Sequence, residues 1–117
     1  MRKTVALIIM AATFSCSASA GDYSDAVAKQ EVCENQGKSA IQLYQSYKSS
    51  DDPFDFSLKT LTEHTKILNE AMNTNDDAQR IRLTLKASVL NAGINSNNKK
   101  SAYMRAWGEC MDTLSNQ

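Results

Sequence analysis

Apolar residues recur at helical intervals in four stretches of this chain, separated by short polar breaks. In the first stretch, residues 24–48, Ala26, Cys33, Gly37, Ala40, Tyr44 and Tyr47 fall at spacings of 7, 4, 3, 4 and 3, which is one stripe of a helix. Val32, Ile41 and Leu43 widen it. Ser24 suits the N-cap, with Asp25 in the first turn. Gly37 costs about 1 kcal/mol relative to alanine inside a helix, so its place on the stripe predicts close approach by a neighbouring helix.

Ser49, Ser50, Asp51, Asp52 and Pro53 break the pattern. Pro53 fits the first position of a second helix and Asp52 its cap. From residue 54 to 72 the stripe is Phe54, Leu58, Leu61, Thr65, Leu68 and Met72, spaced 4, 3, 4, 3 and 4, and is expected to face the core. Lys59 with Glu63 and Lys66 with Glu70 are candidate i, i+4 ion pairs.

The third stretch, residues 78–92, reads two ways. Ile81, Leu83, Leu85, Ala87 and Val89 alternate with polar residues, as in a half-buried strand. Ala78, Ile81, Leu85, Val89 and Ala92 also form a helical stripe, and Leu83, Ala87, Leu90 and Ile94 form a second. Helix is preferred, because a lone strand would have no partner for its backbone groups. Two stripes imply either the central helix or one that meets a partner or a second copy through Leu83 and Leu90. Gly93 is expected just past the helix end. The fourth helix, residues 99–114, carries Tyr103, Trp107, Cys110 and Leu114 on its stripe, with Ala106 and Met111 beside it.

The opening of the chain differs in kind. Arg2 and Lys3 precede an apolar run over residues 5–14, followed by Ala18, Ser19 and Ala20. That is the arrangement of a cleaved secretory signal peptide, and the run is shorter than the ~20 residues needed to span a bilayer. Phe14 and the absence of an upstream leucine argue against lipidation at Cys16. The expected organisation is therefore a signal peptide over residues 1–20 and one helical domain over 21–117, periplasmic or secreted, with no stable membrane insertion after cleavage.

Cleavage would leave Cys33 and Cys110 as the only cysteines. In an oxidising compartment a pair of this kind is expected to join. The fold expected is all-α, a small antiparallel four-helix bundle with one disulfide. In that topology the start of the first helix and the end of the last share one end of the bundle, within bridging reach.

Charge and chemistry narrow the function by exclusion. Thirteen cations balance thirteen acids across the 117 residues; loss of Arg2 and Lys3 leaves a net charge of −2. No basic excess draws the protein to nucleic acid. The motifs of P-loops, nucleophile elbows, zinc proteases and dinucleotide folds are absent. His64 is the only histidine, too few for a zinc set or a bis-histidine haem. Asp51, Asp52 and Asp55 fall short of a calcium loop and are suited to capping. No metal and no cofactor are expected.

The surface best suited to contact is the turn carrying Asp51, Asp52, Phe54, Asp55 and Phe56, at the end opposite the disulfide. Aromatic rings supply buried area at small entropic cost, and acids complement a basic cleft. One of the two phenylalanines is expected to staple the helix onto the core instead. The reading that follows is a small exported, non-catalytic binding protein of immunity, inhibitor or adaptor type. It would act by contact with a protein of the cell envelope, with oligomerisation through the 78–92 helix as a further expectation. The alternative is a small-ligand carrier or sensor with a cavity lined by Tyr44, Met72 and Trp107. A third, an enzyme centred on His64 and Glu63, has no orienting acid or nucleophile nearby in sequence.

Overall fold

A computed structural model describes residues 26–116. These residues form four helices and no strand: α1 (Ala26–Lys48), α2 (Pro53–Asn73), α3 (Asp77–Ile94) and α4 (Lys99–Ser115). The expected signal peptide, Cys16, and the Ser24 cap lie outside the described residues. The ambiguous segment is helix throughout.

Side-chain caps set the helix starts. Asp52 accepts from the Asp55 N–H, with Pro53 at the first turn of α2. Asp76 accepts from Ala78 and Gln79 at α3, and Asn98 accepts from Ser101 at α4. Each satisfies backbone donors that would otherwise lack intrahelical partners.

The helices α1, α3 and α4 all pack on one another, whereas α2 lies against α3 and barely touches α1. Cys33 and Cys110 form the expected disulfide, with Cα atoms 5.4 Å apart. It is fully buried beside Leu85 and Leu114, with Val32, Ile81, Trp107 and Met111 around it. A second cluster gathers Ala40, Leu43, Ile67, Ala87, Val89, Leu90, Ala92, Ala102 and Ala106, with Tyr44, Phe56 and Leu83 against it. Between α1 and α4 the contacts pair Cys33 with Cys110 and Gly37 with Tyr103, and Tyr44 meets Asn97 in the turn before α4. Residue numbers thus rise along α1 as they fall along α4.

Two glycines explain how closely these helices approach. A Cβ on Gly37 would lie 2.5–2.9 Å from three atoms of the Tyr103 ring, so α4 lays that ring directly on the α1 backbone. A Cβ on Gly93 would lie 2.6–2.8 Å from the Leu43 side chain. Gly93 is therefore not a terminator. The helix runs on to Ile94 and is capped at Asn95, and the glycine makes room for α1. Gln36, 1% exposed, donates from Nε2 to the Leu85 carbonyl at 2.6 Å, a polar tie between α1 and α3.

Helix α3 is the central element. Both of its stripes are spent inside the chain: Leu85, Val89 and Ala92 on one, Ala87, Leu90 and Ile94 on the other, all buried. Leu90 is buried in the second cluster, and Leu83, partly buried, packs against it.

Helix α2 departs from expectation. Its buried residues are Thr60, Ile67 and Ala71, and the expected core stripe points outward instead. Phe54 is 72% exposed, Leu58 47%, Leu61 43%, Leu68 37% and Met72 80%. The two faces lie well over a quarter-turn apart at 100° per residue. Small side chains dominate the α2–α3 seam, and their hydroxyls are satisfied locally: Thr60 donates to Phe56 O, Thr84 to Arg80 O and Ser88 to Thr84 O. Such i−4 bonds remove most of the cost of burying a hydroxyl. The expected ion pairs also shift. Lys59 pairs with Asp55 at 3.1 Å rather than with Glu63, and Arg80 pairs with Asp77.

Candidate functional site

Because α2 leans on α3 and leaves α1, a groove opens between α1 and α2. It encloses about 750 Å³. Leu43 of α1, Phe56 and Thr60 of α2 and Leu90 of α3 line its apolar part, and Asp51, Asp52 and Asp55 stand at the turn end. Glu63, Lys59 and Lys66 complete the α2 side.

The turn is firmly built. Ser49 and Ser50 close the end of α1 through backbone bonds to Gln45 and Tyr47. The Tyr47 ring meets Phe56 with centroids 6.0 Å apart, and the Lys48 ammonium lies 5.3 Å from the Tyr47 ring centroid and 5.7 Å from that of Tyr44. The Tyr44 hydroxyl donates to the Asn97 carbonyl at 3.0 Å, which ties the α3–α4 turn to the same end of the molecule. Phe56 is thus the aromatic that staples α2 to the core, and Phe54, which carried the expected stripe, is the exposed one.

Of the residues singled out in the sequence, Asp51, Asp52, Asp55 and Phe56 come together along this groove, while Phe54 lies outside it on the outer stripe. Asp55 is engaged by Lys59 and Asp52 by its capping bond, so Asp51 is the acid of the three best placed to meet a ligand. Leu43, Thr60, Lys66 and Leu90 escaped the sequence reading as site residues. They come from three helices, and nothing in their spacing reports that the helices diverge here.

The cavity expected between Tyr44, Met72 and Trp107 does not form. Met72 is 80% exposed at the end of α2, whereas Trp107 packs by the disulfide and Tyr44 in the other cluster. His64 borders a shallow pocket of about 280 Å³ with Leu68, Ser88, Glu109 and Asp112. The Ser88 hydroxyl there is bonded to the Thr84 carbonyl, and Glu63 lines the other groove, so the His64–Glu63 pair is not assembled. Among the described residues no group of three or more His, Cys, Asp or Glu is placed to hold a metal ion, and no helix is long and apolar enough to cross a membrane.

No protein-family model, curated protein or solved structure matches the chain.

Proposed function

We propose that this is a small exported, non-catalytic binding protein, an antiparallel bundle that grips a segment of an envelope protein in the α1–α2 groove. The observation that carries the reading is the groove itself: an apolar floor of Leu43, Phe56 and Leu90 beneath the Asp51–Asp52 lip. A segment suited to it offers an apolar anchor for the floor and a basic residue for the lip. Buried rings and aliphatic groups supply affinity, and the carboxylates set orientation and encounter rate. A groove already open in the free protein favours such a role, since a preformed site loses little entropy on binding. No catalytic assembly is part of this reading.

The test is affinity capture from envelope extract with oxidised protein, comparing wild type with Asp51→Lys combined with Thr62→Arg. Both residues are exposed, so the fold should tolerate the changes. A partner recovered by wild type, lost with the double variant and retained by Glu31→Lys on α1 supports the groove. Equal recovery by all three removes it.

The groove volume also falls within the ~300–1,000 Å³ of small-molecule sites, which keeps the carrier reading as a second one. A ligand-dependent rise in melting temperature, abolished by Leu43→Trp, would favour it over protein capture.

A further inference from the structure

The outer face of α2 belongs neither to the core nor to the groove. Phe54, Leu58, Leu61, Leu68 and Met72 leave on the order of 500 Å² of apolar side chain uncovered, at the upper end of what a monomer normally exposes. The spacing of 4, 3, 4, 3 and 4, with Thr65 between Leu61 and Leu68, is the a/d repeat of a two-helix coiled-coil seam. A surface helix that only meets its own core has no need of a second, narrow stripe on the far side.

We infer that α2 is the interface of a two-fold dimer, in which the α2 helices of two copies pack antiparallel along this stripe. The occupant is a second copy, whose identical stripe can pair with this one end for end. Turned end for end about its midpoint, the seam sets Phe54 against Met72 of the partner subunit. It sets Leu58 against Leu68 of the partner subunit, and Leu61 against Thr65 of the partner subunit. Every layer then holds at least one large apolar side chain. The flank away from α3 carries Asp55, Thr62 and Asn69; in this register Asp55 faces Asn69 of the partner subunit, so no like charges oppose.

Area supports the same occupant. At 1.5 Å per residue the seam from Phe54 to Met72 is about 27 Å long. With its polar flanks it reaches roughly 600 Å² per partner, the lower limit of specific interfaces. That size corresponds to a reversible dimer with a dissociation constant on the order of micromolar. Asp55 and Thr62 of this flank also line the groove, so the dimer seam borders the groove on its α2 side.

Sedimentation of the oxidised protein, from about 1 μM to 1 mM, reads the equilibrium directly. Expected results are a monomer–dimer transition in wild type and monomer throughout for both Leu58→Glu and Leu68→Lys. These two positions oppose each other in the proposed register. An equimolar mixture of the two variants should therefore regain a dimer, because the carboxylate introduced in one copy meets the ammonium introduced in the other. Circular dichroism melts should match wild type within a few degrees for Leu58→Glu at low concentration, since Leu58 is 47% exposed in the monomer, and any loss in Leu68→Lys, 37% exposed, is read against that variant. Wild type that stays monomeric to 1 mM overturns the proposal. So does a dimer indifferent to Leu58→Glu, and a mixture that fails to pair overturns the antiparallel register.

Discussion

Gly37 shows how one residue sets the distance between two helices. The Tyr103 ring occupies the space a methyl would fill, with ring atoms 2.5–2.9 Å from an added Cβ. Gly37→Ala should therefore cost about 1–3 kcal/mol from overpacking, outweighing the ~1 kcal/mol that alanine gains in helix propensity. Urea midpoints would measure it. In a Tyr103→Ala background the same change should be neutral or stabilising, a coupling that follows only if the ring is the obstacle. The need for a small residue was legible in the sequence, since Gly37 sits on the stripe with Cys33 and Ala40. The identity of the residue it receives was not, because Tyr103 lies 66 positions away and only the packing of α1 on α4 brings it there. Gly93 shows the reverse. Its position near a helix end suggested a terminator, but its backbone is ordinary helix, with no positive φ, and Leu43 is the reason for it.

At the scale of the element, periodicity was a reliable guide to existence, and local chemistry to the start of α2. Asp52 with Pro53 starts α2, and Asp76 starts α3 by accepting two backbone N–H groups. Asp76→Ala should cost about 1 kcal/mol in urea unfolding, and Asp76→Ser should recover most of it. Periodicity also named the buried faces of α1, α3 and α4. It misassigned α2 because a stripe reports only that apolar residues share a face. Whether that face meets the core or the outside depends on where the neighbours lie. Here α2 has one real neighbour, α3, and meets it through Thr60, Ile67 and Ala71. A hydroxyl that bonds its own i−4 carbonyl avoids most of the penalty of an unpaired buried polar group, so Thr60 looked polar in the sequence and behaves as core. The leucines displaced outward are what a second copy would cover.

For the whole molecule the disulfide is the largest single constraint. It joins positions 77 residues apart, and closing a loop of that length restricts the denatured chain by about 4–5 kcal/mol. A domain of this size has a total stability of about 5–15 kcal/mol, so the link decides whether the fold survives. Reduction, or Cys33→Ala with Cys110→Ala, should lower the unfolding free energy by several kcal/mol and bring the urea midpoint down accordingly. A loss under about 1 kcal/mol would mean that α1 and α4 hold together by packing alone. Beside this clasp stand Gln36 on Leu85 O and Tyr44 on Asn97 O. The strongly tied part of the molecule is the trio α1, α3 and α4, with α2 as the outlying helix that forms one wall of the groove.

The amino-acid sequence by itself determined the helices, the Asp52–Pro53 start of α2, the pairing of Cys33 with Cys110 and the acidic-aromatic turn. Those depend on neighbours within a few positions or, for the disulfide, on the expectation that Cys16 leaves with a signal peptide. Only the tertiary structure decided which face of α2 is inside, that the groove lies between α1 and α2, and which leucines remain uncovered. Those outcomes depend on how far apart whole helices come to rest, and that distance is set by residues contributed from three helices at once.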